Sequence, residues 1–66
     1  MTELFRMYTD FIHYGINVFQ CDYTSKCCFY TVKVFDYQNS IWIVYMKNGD
    51  VISIHETDQF EYCDNL

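Results

Sequence analysis

The sequence predicts an α+β fold, with an N-terminal helix packed on a four-stranded antiparallel meander and a short C-terminal helical turn or tail. Three observations lead to this prediction. Apolar residues recur at helical spacing in the first fourteen positions, and the spacing then changes to alternation in runs rich in β-branched and aromatic residues. Short polar turns separate those runs. The last turn holds Asn48-Gly49, a dipeptide typical of tight hairpins with two positive φ angles.

The helix is predicted over residues 2–14. Thr2 is a suitable N-cap because its hydroxyl can accept a hydrogen bond from the first turn. The apolar stripe of this helix consists of Leu4, Tyr8, Phe11 and Ile12. Gly15 follows directly, and glycine is the usual residue where a helix ends in a left-handed conformation.

The strands are predicted at residues 16–21, 27–36 and 41–47, with a fourth ending near His55. Uninterrupted pairing outward from the Asn48-Gly49 turn gives the last two strands an apolar face made of Ile43, Tyr45, Ile52 and Ile54. We expect this face to form the core beneath the helix. The opposite face would then hold Trp42, Val44, Met46 and either Phe29 or Phe35.

A chain of 66 residues, 52% of them hydrophobic, is expected to form one domain over residues 1–66. Its conformational entropy cost is on the order of 100 kcal/mol, at roughly 1.5 kcal/mol per residue, so a small core needs reinforcement. The N-terminus lacks the basic and apolar regions of a signal peptide, and no run of about 18 apolar residues occurs. We therefore expect a cytoplasmic protein that makes no membrane contact.

Nine Asp and Glu residues against four Lys and Arg residues give a formal net charge of -5. This balance argues against a nucleic acid as direct ligand, because such binding depends on Lys and Arg that displace counterions from phosphates. The C-terminal segment carries no Lys or Arg and holds four acidic residues, Glu56, Asp58, Glu61 and Asp64. Such a segment suits a protein partner with a basic surface. The alternative is that these charges only keep an aromatic-rich domain in solution.

Three of the four cysteines, Cys21, Cys27 and Cys28, fall within eight residues, and Cys63 lies near the end. In the predicted meander these three lie at one end of the sheet, and the tail is long enough to bring Cys63 back to them. Four thiolates form a closed tetrahedral zinc site, which stabilises a fold and leaves no position for a substrate. The sequence thus predicts structural zinc and no catalytic residue.

Other arrangements of the cysteines stay open. Adjacent residues seldom both ligate one ion, so Asp22, His13 or His55 can replace one of Cys27 and Cys28. Both histidines, however, are predicted at the opposite end of the sheet, roughly 20 Å away. Free buried thiols and disulfides are the remaining structural interpretations. A catalytic Cys-His pair needs an activated thiolate beside a base, and nothing in the sequence places one there.

An aromatic anchor for the partner is predicted at Trp42 or Phe60. If the helix covers only one face of the sheet, Trp42 is left on the other face, and exposed apolar patches mark interfaces. The alternative is that the C-terminal segment folds over this face through Phe60 and Tyr62. The predicted partner-binding residues are therefore Trp42, Phe60 and the four C-terminal acidic residues.

The chain as a whole resembles the very small acidic inhibitors that bacteriophages and mobile elements make against CRISPR nucleases, in particular anti-CRISPR proteins against type II-A Cas9. The likeness lies in the length, in a composition rich in Tyr, Asn, Ile, Asp and Phe, and in the acidic segment Glu56-Thr57-Asp58-Gln59-Phe60-Glu61. It implies a monomeric, non-enzymatic, stoichiometric inhibitor that binds Cas9 in the host bacterial cytoplasm and obstructs the handling of guide or target DNA. The alternative is a small zinc-stapled regulatory or assembly module that binds another host or phage protein.

Overall fold

The computed structural model describes residues 2–24, 26 and 28–59. Its elements are α1 (Glu3–Tyr14), β1 (Ile16–Thr24), β2 (Phe29–Tyr37), β3 (Ser40–Lys47) and β4 (Asp50–Thr57). Each strand pairs antiparallel with the next in the order β1-β2-β3-β4, and α1 packs on one face of the sheet. The predicted α+β fold is confirmed. The predicted C-terminal helical turn or tail begins at Thr57 or Asp58 and runs through Cys63; Thr57 belongs to β4, and residues 60–66 lie outside the described residues.

The two ends of α1 follow from the residues beside them. The Thr2 hydroxyl accepts a hydrogen bond from the Phe5 amide at 3.2 Å, which confirms the predicted N-cap. At the other end Gly15 has a φ of -87°, so the predicted left-handed cap is wrong. Glycine is needed there for space, since a Cβ atom would lie 2.8 Å from the carbonyl oxygen of Phe11. Within the described residues no helix has the length and apolar character needed to cross a membrane.

Phe11 joins α1 to the sheet. Its side chain is 2% exposed, and its ring centroid lies 5.5 Å from Phe35, 5.2 Å from Tyr37 and 5.5 Å from Trp42. Val44 completes this buried cluster. The partly buried residues packed around it are Met7, Tyr8, Tyr37, Trp42, Met46, Val51 and Ile54. The core beneath α1 is therefore aromatic and lies mainly over β2, β3 and β4.

The predicted core face of the last two strands is wrong for β3. The face beneath α1 holds Trp42, Val44 and Met46, so Ile43 and Tyr45 lie on the opposite face of the sheet, which we call the far face. In β4 it holds Val51 and Ile54 instead of Ile52 and Ile54.

A β-bulge accounts for the difference in β4. Met46 pairs with Val51 as predicted, but Tyr45 then pairs with Ser53 and Val44 with Ile54, which leaves Ile52 without a register partner in β3. One extra residue in one strand shifts every later pair, and a shift of one residue exchanges the two faces. Ile52 is accordingly 51% exposed.

Both hairpin turns at β3 have two residues with positive φ. Asn48 and Gly49 have φ angles of 54° and 87°, which confirms the predicted tight turn. Gln38 and Asn39 have φ angles of 50° and 64°, so the preceding turn is equally short, and Tyr37 and Ser40 belong to the strands instead of the predicted turn. Tight turns at both ends hold β3 in register with its two neighbours.

The connection between β1 and β2 is shorter than predicted. Asp22, Tyr23 and Thr24 continue β1 and pair with Thr31, Tyr30 and Phe29. β2 therefore begins at Phe29, two residues after the predicted start. The sheet extends beyond Cys21, which places this cysteine inside a strand and away from its end.

The far face of the sheet also contains buried residues. Lys33 and Phe35 of β2 point towards α1, so the alternating residues Val32 and Val34 belong to the far face. Their exposed fractions are 2% and 0%. β2 is thus buried on both faces and forms the centre of the molecule.

Candidate functional site

The end of the sheet away from the Asn48-Gly49 turn carries exposed acidic side chains. Asp36 is the next-to-last residue of β2, Glu56 lies near the end of β4, and Asp58 follows β4. We call these three residues the acidic end. Ile41 of β3 pairs with Asp36 on one side and with Thr57 on the other. The Cα atoms of Asp36 and Thr57 therefore lie about 10 Å apart across β3. All three residues therefore lie at one end of the sheet, with Asp36 on the far face and Glu56 on the face that α1 covers.

A shallow depression lies within the acidic end. Ser40, Glu56, Thr57 and Asp58 line it, and its volume is about 380 Å³. The Thr57 hydroxyl accepts a hydrogen bond from the Gln59 amide at 3.3 Å and donates one to the Gln59 carbonyl at 3.2 Å. These bonds order the chain that leaves β4 and hold Asp58 beside the depression.

None of the four basic side chains of the protein belongs to the acidic end. Arg6 lies in the first half of α1, Lys26 lies between β1 and β2, and Lys47 ends β3 at the opposite end of the sheet. Lys33 lies in the middle of β2, where its ammonium group donates a hydrogen bond to the Tyr8 hydroxyl at 2.9 Å. The carboxylates of the acidic end therefore present an uncompensated negative potential to a partner.

The predicted anchor Trp42 lies beneath α1. Its indole N–H donates a hydrogen bond to the Tyr37 carbonyl at 3.1 Å, and its ring packs on Phe11. The prediction that it lies on the face opposite the helix is wrong, because α1 packs on the face of β3 that holds Trp42, Val44 and Met46. Trp42 pairs with Glu56 in register, so its half-exposed edge borders the acidic end. Phe60, Glu61 and Asp64 are outside the described residues.

The cysteines are distributed along the β1-β2 hairpin. Cys21 pairs with Val32 in the middle of the ladder, whereas Cys28 precedes Phe29, which pairs with Thr24. Cys28 lies four positions from Val32 along the chain, or roughly 13 Å from the level of Cys21. The sheet therefore does not bring Cys21 and Cys28 together. Cys27 and Cys63 lie outside the described residues, so the four-cysteine zinc site stays a prediction.

Possible substitutes for a cysteine ligand are also dispersed. His13 lies in the last turn of α1, and His55 lies near the end of β4, where its ring packs edge-on against Tyr45 at 5.5 Å. Both histidines are thus away from Cys28, as predicted. Among residues 2–24, 26 and 28–59, no three His, Cys, Asp or Glu side chains are grouped so that they would hold a metal ion.

A second polar cluster, which the sequence analysis did not identify, lies at the end of the sheet opposite the acidic end. Tyr23 and Tyr30 stack with ring centroids 5.5 Å apart, and the Lys47 ammonium lies 5.5 Å from the Tyr30 ring. The Cys28 thiol, and then the Tyr30 phenol, raise the pKa of Lys47 above its ordinary value of 10.5. The sequence could have indicated this cluster only through the cross-strand pairing of Tyr23 with Tyr30, and that pairing depends on the exact register of β1.

Asp22 is held by its neighbours on β1 and β2. Its carboxylate accepts a hydrogen bond from the Gln20 side-chain amide at 2.9 Å. The bonds from Gln20 and then from Thr31 lower the pKa of Asp22 below its ordinary value of 3.8. This carboxylate therefore supports the sheet and is not aimed at a ligand.

The acidic end is the strongest candidate for a functional site. It is a carboxylate surface suited to binding, and it contains no nucleophile paired with a base. Comparisons with protein-family models, with curated proteins and with solved structures gave no match to this chain.

Proposed function

We propose that this protein binds a basic surface of a protein partner through its acidic end and inhibits that partner stoichiometrically. The observation that supports the proposal most is that Glu56 and Asp58 line one depression, with Asp36 at the same end of the sheet and no Lys or Arg among them. The resemblance in size, composition and charge to anti-CRISPR proteins makes type II-A Cas9 the partner to test.

The physical basis of inhibition is competition for a cationic groove. A nuclease holds guide and target strands through Lys and Arg side chains that contact phosphates. Carboxylates presented on a rigid sheet edge meet the same cations without the entropy cost of ordering a flexible chain. Charge of this kind accelerates association and aligns the partners, and apolar contacts near the centre of an interface supply most of the affinity.

The predicted apolar contacts are Trp42 and Phe60. Trp42 is packed on Phe11, so only its exposed edge beside Glu56 is available to a partner. In this proposal Phe60 is the principal anchor, and Glu61 and Asp64 extend the negative surface. Predicted structural zinc would stabilise the fold that carries this surface and takes no part in binding.

The test is a measurement of affinity for Cas9 with two double variants of equal charge change. Glu56→Gln with Asp58→Asn neutralises the acidic end, whereas Glu3→Gln with Asp50→Asn neutralises two exposed acids near the start of α1 and the Asn48-Gly49 turn. We expect the first variant to bind about tenfold more weakly, mainly through slower association, and the control to change affinity less than about threefold. Affinity should also fall as salt rises.

Two results would contradict the proposal at different levels. If the unmodified protein does not bind Cas9 at micromolar concentration, with or without guide RNA, the partner is wrong. If both double variants bind equally well, or both lose affinity equally, Cas9 is still the partner but it does not recognise the acidic end.

A further inference from the structure

The turn that joins β3 to β4 leaves its two central residues in contact with solvent. Asn48 and Gly49 are both exposed, and a Cβ atom added to Gly49 would meet no atom within 4 Å apart from its chain neighbours. The Asn48 amide donates to the Phe29 carbonyl at 3.1 Å. The side chain of Asn48 is held more loosely, because the Phe29 amide donates to its oxygen at 3.5 Å. The side-chain amide can therefore rotate towards the backbone that follows it.

The backbone amide of Gly49 takes no part in the sheet. Lys47 and Asp50 form the closing pair of the β3-β4 ladder, so Gly49 lies between the two strands. Within residues 2–24, 26 and 28–59, its N–H group donates no hydrogen bond. Gly49 also has no side chain that would hinder an approach to its nitrogen, and it adopts its φ of 87° without strain. Attack by this nitrogen on the side-chain carbonyl carbon of Asn48 closes a five-membered ring.

We propose that Asn48 is a site of spontaneous covalent modification, with the Gly49 amide nitrogen as the nucleophile and water as the co-reactant. The nitrogen bonds to Cγ of Asn48 and loses its proton, while the Cγ–Nδ2 bond breaks and the side-chain nitrogen leaves with that proton as ammonia. Because the two groups belong to adjacent residues, this step is unimolecular. Water then opens the cyclic imide at either of its two carbonyl carbons, and the imide nitrogen takes up a proton. The products are aspartate and isoaspartate.

The structure distinguishes Asn48 from the other asparagines among the described residues. Asn39 lies in the equally tight turn before β3, with a φ of 64°, but the residue after it, Ser40, already belongs to that strand. Asn17 lies inside β1, and its side-chain oxygen accepts a hydrogen bond from the Phe19 amide at 3.3 Å. In both cases the following residue also carries a side chain. We therefore expect Asn48 to react about tenfold faster than either of them.

The two products have different effects on the turn. Aspartate leaves the backbone unchanged, and Asp-Gly suits a turn with two positive φ angles as well as Asn-Gly does. In isoaspartate the main chain runs through the side-chain carbons, so the turn gains a backbone atom. Because turn length fixes the register of a hairpin, this product should weaken the nearest pairs, Met46 with Val51 and Lys47 with Asp50. These pairs lie at the end of the sheet opposite the acidic end, so the proposal does not depend on the proposed function.

The test is incubation of the full chain at mildly alkaline pH, followed by peptide mapping with mass spectrometry at intervals. We expect residue 48 to show the mass change that replaces a side-chain NH2 group by OH, as a mixture of aspartate and isoaspartate. Asn39 and Asn17 should convert about tenfold more slowly. Ser40→Gly is the matched control, because it places a glycine after Asn39 but leaves the following amide in β3. Asn39 of this variant should still convert at least about threefold more slowly than Asn48.

Two results of this incubation would overturn the proposal. One is an Asn48 that stays intact in the folded protein while the same chain unfolded in urea converts, since the turn would then protect the residue. The other is equal conversion of Asn39 and Asn48 in the Ser40→Gly protein, since the position in the turn would then have no effect.

Hydrogen exchange of the amides beside the turn separates the two products. It should be about tenfold faster in the isolated isoaspartate form than in the unmodified protein, because the added backbone atom disturbs the closing pairs. Asn48→Asp reproduces the other product and should leave exchange unchanged. Equal exchange in the isoaspartate form and in Asn48→Asp would overturn the predicted effect on the hairpin.

Discussion

Phe11 carries more of the tertiary structure than any other single residue. Three aromatic rings and Val44 surround it, and it is the one buried residue of α1. The predicted apolar stripe included Phe11 and Tyr8 correctly, but Ile12 is 51% exposed and Met7 packs on the core instead. A stripe at helical spacing shows which side of a helix is apolar, and the neighbouring sheet decides which of its flanks is covered.

Shortening Phe11 should destabilise the protein far more than shortening an exposed phenylalanine. We expect Phe11→Leu to lower the free energy of unfolding by about 1–2 kcal/mol, because it leaves a gap among rings that cannot fully close. Phe5→Leu, at a position 49% exposed, should cost less than about 0.5 kcal/mol. Urea unfolding of both variants measures the difference. Equal losses would show that Phe11 is not the residue that joins α1 to the sheet.

The hydrogen bond between Gln20 and Asp22 can be tested by pH. Because its pKa is lowered in the folded protein, the stability it adds is present above its ordinary pKa of 3.8 and is lost as pH falls through the folded value. The carboxyl carbon of Asp22 should therefore titrate below 3.8 in an NMR experiment. Gln20→Ala removes the largest cause and should move the midpoint towards 3.8. A midpoint at 3.8 in both proteins would contradict the hydrogen bond.

At the scale of elements, local signals in the sequence predicted the structure well and long-range register did not follow from them. Thr2, Gly15 and Asn48-Gly49 mark boundaries that the structure confirms, since caps and turns depend on a few adjacent residues. The bulge at Ile52 was not predicted because no residue in β4 signals it locally. The predicted pairing put Ile54 opposite Ile43, whereas the bulge puts Ile54 opposite Val44, on the face beneath α1 that also holds Trp42.

The bulge leads to a prediction about deletion. Removing Ile52 leaves Val51 and Ser53 adjacent, and their partners Met46 and Tyr45 are already adjacent, so the other pairs keep their register. We expect this deletion to change the free energy of unfolding by less than about 1 kcal/mol. Deleting His55, which is also exposed but is paired with Ile43, shifts Glu56 and Thr57 to the wrong faces and should cost more. The opposite order would contradict the observed register.

The zinc site predicted from the four cysteines is tested at the β1-β2 hairpin. The prediction is about one zinc ion per chain by elemental analysis and a melting temperature that falls when a chelator is added. Cys21→Ser is the informative variant, because Cys21 lies roughly 13 Å along the strand from the level of Cys28. Loss of metal in this variant would support the set of four ligands. If the wild-type protein contains no metal and its melting temperature does not change with chelator, the zinc prediction is wrong.

At the scale of the whole molecule, charge is distributed unevenly over a rigid scaffold. The sequence predicted an acidic C-terminal surface, and the fold adds Asp36 from a distant part of the chain to Glu56 and Asp58. Composition could not predict this addition, because it requires that the ends of β2 and β4 lie on either side of β3.

The most direct test of the proposed function is cleavage of target DNA by Cas9 and guide RNA while this protein is titrated in. We expect cleavage to fall linearly and to stop near one protein per nuclease. Neutralising Glu56 and Asp58 should shift the titration to higher protein, and neutralising Glu3 and Asp50 should not. Full cleavage in the presence of a large molar excess of correctly folded protein would contradict the proposed function.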